Sequence, residues 1–291
     1  LVFRTFSTPP PDASASGALP FAPACSLLGF LVAALGAWRC FHARSAGASR
    51  TLLVGMTTGV NLAMFAYPII EGTYGAAGLR VAALFDLPNM LVNFGYNRAV
   101  FTTLSAKTCV SPRQLASTTL RQLLLFPPLA AIWLGLASRA TGITLPAWLT
   151  AIFSDVAAAN KVLVLLALGV LLRPTFDVAQ RKALLALLSV RYALLLACAA
   201  MAAVLGSALG VPPTVRAVVV SALCCPIPAV SVQYAAEAGC DSGLAAAMAN
   251  ATNVISFAVL FGVAALHSAP PHVLAGCLAA GAAVSAGCAC L

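Results

Sequence analysis

Asp86, Asn89, Asn93 and Asn97 recur at offsets of three, seven and eleven in FDLPNMLVNFGYN (85–97), a spacing that puts all four on one helical face. A carboxylate beside three amides could line a polar cavity and bind a solute or respond to protons. The other reading is a packing stripe in which amides join neighbouring helices. Pro88 falls inside the same stripe and interrupts the local hydrogen-bond ladder.

Two other segments pair prolines with polar residues. In VNLAMFAYPIIEGTYG (60–75), Asn61 precedes Pro68 by seven residues, and Pro68 should free the carbonyl of Met64. In CCPIPAVSVQYAAEAG (224–239), Pro226 and Pro228 should free those of Ala222 and Cys224, with Ser231 and Gln233 following. An unpaired carbonyl in hydrocarbon costs several kcal/mol, so such breaks persist only where protein, water or a ligand supplies a partner. Broken helices at matching positions of two halves point to a solute site near the bilayer midplane. Asn61 and Ser231 either contact that solute or satisfy the freed carbonyls.

Further polar residues have a second use only if buried. Lys161 and Arg191 read first as snorkelling cations. Otherwise Lys161 pairs with an anionic solute and Arg191 with a buried acid. Glu71 and Glu237, close to Gly72 and Gly239, read as solvated helix ends. Asn250, Asn253 and Ser256 occupy the place in the second half that the Asp86 stripe holds in the first. They either complete a cavity or pack.

The elements that must position these residues are membrane helices. Hydrophobic residues make up 62% of the chain and charged residues 8%, against roughly 25% charged in an ordinary soluble domain. A length of 291 residues suits about eight to ten spans of about 20 residues. Spans are expected at 22–41, 51–71, 77–101, 120–138, 147–172, 183–209, 214–236 and 243–266. Residues 271–291, rich in Ala, Gly and Cys, are not counted as a span.

Loop charges order these spans. Arg39, Arg44 and Arg50, then Arg98, Lys107, Arg113 and Arg121, then Arg173, Arg181 and Lys182 fall on alternate connections. Arg4, Arg80, Arg139 and Arg216 fall on the other side. By the positive-inside rule, the richer connections are cytoplasmic. The net charge of +9 is therefore read as basic loops at a membrane surface rather than nucleic-acid binding.

The ten cysteines show no paired CxxC or Cys/His spacing, so a metal site is not expected. No zincin, nucleophile-elbow or P-loop motif occurs, and the chain is read as neither an enzyme nor a cofactor binder.

From Asn61 to Pro68, then Glu71 and Tyr74-Gly75, the chain resembles the auxin efflux carrier family of bacterial organic-acid carriers and plant auxin exporters. ALFDLPNMLVNF (83–94) is similar to that family's Asp-plus-asparagine helix. FPPLAAIWLGLA, ITLPAWL and LLALGVLL within 123–172 resemble the start of its second half. RYALLL (191–196) and PAVSVQYAAEAG (228–239) resemble later blocks, so the likeness covers roughly residues 22–266.

The resemblance implies an all-α membrane fold of inverted five-helix repeats with two proline-broken crossover helices, shared with bile-acid symporters and sodium/proton antiporters. Two helices would precede residue 22. Residues 1–20 would be the end of a missing span plus a polar loop, and 21–101 the remainder of the first repeat. Residues 102–119 would form a cytoplasmic loop, 120–267 the second repeat and 268–291 an Ala/Gly-rich tail.

Secondary transport of a small organic anion, auxin-like or dicarboxylate, is the implied function, with the bilayer and a second copy in a homodimer as partners. A sodium-coupled symporter of the bile-acid type and a non-transporting receptor of the same fold are the alternatives. Ala63 and Ala66 stand where the family usually has Gly, and Ser231 where bacterial members often have Asn. The long hydrophilic loop of plant exporters is absent, so auxin itself is not implied.

Overall fold

Six buried residues recur every three or four positions along the first described helix, α1 (Ala18–Phe41): Ala22, Ser26, Phe30, Ala33, Ala37 and Phe41. That is one helical face. The opposite face carries exposed Leu27, Leu28, Leu31 and Leu35. A helix apolar all round is buried in protein or in lipid. Among the described residues, five helices are long and apolar enough to cross a membrane, consistent with a multi-pass integral membrane protein.

The computed structural model describes residues 18–42, 47–105, 177–266 and 270–290, with 127–142, 146–156 and isolated positions between 111 and 159. The described residues are mostly helical and include no strand. After α1 come α2 (Gly47–Thr57), a π-helical turn (Leu62–Ala66), α3 (Tyr67–Leu91), a second π segment (Val92–Asn97) and α4 (Arg98–Leu104). Helices Pro127–Thr141 and Ala147–Val156 follow. The remainder of the span expected at 147–172 lies outside the described residues. The second packed group is α5 (Val178–Ala208), α6 (Pro213–Leu223), α7 (Ala229–Glu237), α8 (Ser242–Leu266) and α9 (Pro271–Cys290).

Gly75 divides α3 into two arms. Its φ of 65° and ψ of −165° are non-helical, and essentially only glycine adopts that region. Pro68 lies outside the non-helical stretch itself. The chain leaves α2 after Thr57 and resumes helix at Leu62, and Pro68 follows directly on the π turn, with helical backbone from that turn into α3. The wider π winding, in which the Tyr67 amide reaches back to the Leu62 carbonyl, falls where the missing Pro68 donor interrupts an α-helical ladder.

Residues 271–290, expected as a tail, instead form α9, which packs along α5. Its Pro271–Cys288 stretch is long and apolar enough to be a span.

One end of the bundle gathers several element boundaries. Asp177 caps α5 by accepting from the Gln180 amide at 2.7 Å, and the Gln180 side chain accepts from the Asp177 amide at 3.2 Å. Asp241 caps α8 by accepting from the Leu244 amide at 3.0 Å, and also receives Gln180 Nε2 at 3.2 Å. Ser105 Oγ, just past α4, donates to the Ala238 carbonyl at 3.0 Å. This is the end to which loop charge assigns the cytoplasm.

The Leu244 amide, followed by the Gln180 side chain, holds the Asp241 carboxyl below the ordinary carboxylate range. A depressed carboxylate adds stability above its unfolded value and loses it as pH falls through the folded one. Asp241→Ala is therefore expected to lower stability by about 1 kcal/mol at neutral pH. Thermal melts should show that deficit shrinking once the pH falls below the usual aspartate range.

Candidate functional site

Two interruptions face each other where the core of the bundle should be least tolerant of bare backbone. The first comprises Thr58, Gly59, Val60 and Asn61, between α2 and the π turn. The second, from Cys225 to Pro228 between α6 and α7, contains both Pro226 and Pro228. They are bonded directly, the Asn61 amide donating to the Pro226 carbonyl at 2.9 Å. Thr58, Gly59 and Val60 are buried, as are Cys225 through Pro228, so their polar groups need partners from the protein.

The asparagine stripe supplies them on the first side. The Asn89 side chain accepts from the Val60 amide at 3.0 Å and donates to the Val60 carbonyl at 2.9 Å, as a neighbouring strand would. Asn93 Nδ2 donates to the same carbonyl at 3.1 Å, so both its lone pairs are used. Asn97 Nδ2 donates to the Thr58 carbonyl at 3.2 Å and to Ser231 Oγ at 3.3 Å, and its Oδ1 accepts from Thr58 Oγ1 at 2.6 Å.

Four residues overshoot an α-helical turn by about 40°, so asparagines at this spacing drift around a regular helix. The wider π segment Val92–Asn97 reduces that drift and keeps Asn93 and Asn97 on the interruption.

Asp86 stands at the end of the same network. Its two carboxylate oxygens accept from Tyr67 Oη at 2.7 Å and from Asn89 Nδ2 at 2.8 Å. Asp86 is buried. Both of these donors are neutral, and they orient the network.

Arg191 is where the structure departs furthest from the sequence expectation. Rather than snorkelling to a surface, it is fully buried (0% exposed) on α5. Among the described residues it bonds no acid. Nη1 donates to the Thr57 carbonyl at 2.6 Å, and Nη2 to those of Gly59 at 2.9 Å and Cys225 at 3.0 Å. The reason is the vacancy of hydrogen-bond donors at the ends of α2 and α6, where helix carbonyls and the negative pole of the helix dipole are left exposed.

The second interruption is held by Thr252 and Tyr192, which the sequence did not mark, and by Ser256, which it did. The Ile227 amide donates to Thr252 Oγ1 at 3.1 Å. Tyr192 Oη donates to the Thr252 carbonyl at 3.1 Å and shares a hydrogen bond with Ser256 Oγ at 3.0 Å. Thr252 lies inside AMANATNVISF (246–256), but Asn250 and Asn253 drew attention because they are amides. A buried threonine following an apolar turn has no local mark to distinguish it from packing.

Asn61 has a different environment from its neighbours. It is half-buried, and its side chain makes no capping hydrogen bond to the π turn it precedes. Ser231, by contrast, is fully buried and committed to Asn97. Pro68, about two turns along from Asn61, is half-buried. Lys161 lies outside the described residues.

No cluster of three His, Cys, Asp or Glu able to hold a metal occurs among the described residues. The chain matches no protein-family model, and no curated protein matches it significantly.

Proposed function

We propose that this protein is a secondary carrier that moves a small organic anion by alternating access, with the solute bound where the two interruptions meet. The observation that carries the reading is the Asn61-to-Pro226 backbone hydrogen bond, which makes two helix interruptions one site. An inverted repeat is supported by the way each is pinned. The Val60 amide bonds Asn89 on the arm of α3 beyond the Gly75 kink, and the Ile227 amide bonds Thr252 on α8, the helix beyond α7.

Four half-helix ends converge there, and they are not electrically equal. The carbonyl ends of α2 and α6 are covered by Arg191. The amide ends, at the π turn and α7, carry the positive pole of their dipoles and favour an anion. Asn61, half-buried with a side chain uncommitted to its own turn, is the contact residue this reading selects. Asp86, Asn89 and Asn93 act as supports of the crossing, and Ser231 joins them. The likeness to auxin efflux carriers belongs to the same proposal, as does a homodimeric assembly.

A counterflow screen of mono- and dicarboxylates in proteoliposomes tests the function. Asn61→Ala is expected to slow transport roughly tenfold, the loss of one hydrogen bond to a charged group. Its thermal midpoint should stay at the wild-type value. Unchanged flux would remove Asn61 from the site, and solute binding without flux would favour a receptor.

A further inference from the structure

Three neutral carbonyl oxygens, from Thr57, Gly59 and Cys225, converge on one guanidinium from two different interruptions. Unwound carbonyls at the carboxyl ends of half-helices are also how membrane carriers hold an alkali cation, the oxygens replacing its water. Here the positive charge is covalently attached. Arginine remains protonated at any physiological pH, so this charge neither leaves nor titrates.

We infer that Arg191 is a tethered cation occupying the seat of an alkali metal ion at the helix crossing, so that the crossing is complete without sodium or potassium. The seat stands whether or not the crossing carries a solute. Only the consequence for transport, that sodium is not the coupling ion at this point, rests on the carrier reading.

The contact pattern has a further consequence. Arg191 Nε is buried without a hydrogen-bond partner, and every bond to the seat comes from the two terminal nitrogens. A free guanidinium ion carries both of these nitrogens. It therefore supplies every donor that the seat uses, provided that the side chain has been removed to make room. Replacing Arg191 by alanine should turn an internal cation into an external requirement.

The test uses thermal melts of the purified protein and needs no substrate, so its failure is distinct from failure of the carrier reading. Wild-type protein is expected to melt at one temperature in equal concentrations of sodium, potassium and choline chloride. Arg191→Ala is expected to melt roughly 10 °C lower, as losing one partner of a buried polar cluster does in a chain of this size. Guanidinium, at concentrations too low to affect wild type, should recover most of that loss.

Specific stabilisation of the wild type by sodium or potassium over choline would overturn the inference. So would an Arg191→Ala protein that melts like wild type, or one that melts lower but gains nothing from guanidinium. If Arg191→Ala does not fold, the wild-type cation series decides alone. Arg191→Lys, which keeps the charge but not the two-nitrogen fork, should then fall between wild type and unfolded.

Discussion

Gly59→Ala is expected to destabilise the protein by about 2–5 kcal/mol, among the largest effects of a single added methyl group in this chain. Two independent costs meet at that position. Gly59 has a φ of +74°, where a residue with a Cβ loses on the order of 1–2 kcal/mol. The new Cβ would also collide with Asn93 Oδ1 and lie 3.0 Å from Asn97 Nδ2 and 3.2 Å from Pro228 Cγ. Forcing an extra group into a filled core costs a further ~1–3 kcal/mol.

The collision is with the asparagines that satisfy the interruption, so relief by side-chain movement would break hydrogen bonds. Gly210→Ala is the control. Its φ is +67°, with open space around the added Cβ. Denaturant or thermal midpoints should rank Gly59→Ala well below Gly210→Ala. Equal midpoints would mean that backbone strain alone matters and that the crossing is not tightly packed.

Asn89→Leu is the second large effect, expected at about 2–6 kcal/mol from two buried groups stranded at ~1–3 kcal/mol each. Asn89 makes three hydrogen bonds: two to Val60 and one to Asp86. Leucine keeps much of the volume and removes all of them. The Val60 amide then has no acceptor, and Asp86 keeps only Tyr67.

Asn93→Leu removes only one donor from the Val60 carbonyl, which Asn89 still serves, so its cost should be nearer 1 kcal/mol. Unfolding of the two variants side by side distinguishes a support network from a general polar stripe. Similar losses would argue that neither side chain has a specific backbone partner. Neither substitution removes Asn61, so transport per folded molecule separates support from solute contact.

How much of this was legible beforehand differs from residue to residue. The stripe from Asp86 to Asn97 could be read from spacing, because four polar residues on one face of an apolar helix must meet something polar. Pro226 and Pro228 likewise lie within the interruption their chemistry suggested. Pro68 marks the π turn that precedes it, whereas the non-helical stretch lies earlier, at residues 58–61. The first interruption is instead marked by Gly59, whose positive φ depends on the neighbours packed around it.

Arg191 was the least legible. Within LLSVRYALLL an arginine about two turns into a helix is ordinary near a membrane surface, and snorkelling is the usual way to keep it hydrated. What buries it instead is a set of carbonyls 34 to 134 residues away in the chain.

The amino-acid sequence by itself determined the class of molecule: helices too apolar to be dissolved, with basic connections and a few polar residues at helical spacing. Those are properties of composition and of one periodicity, and each element carries them alone. The tertiary structure alone decided that Asn89 serves Val60, that Thr252 serves Ile227, that Arg191 closes two helix ends and that the Asn61 side chain makes no cap to its own turn. A backbone carbonyl is the same at every residue, so which ones are left bare, and which side chain reaches them, is settled only when distant helices meet.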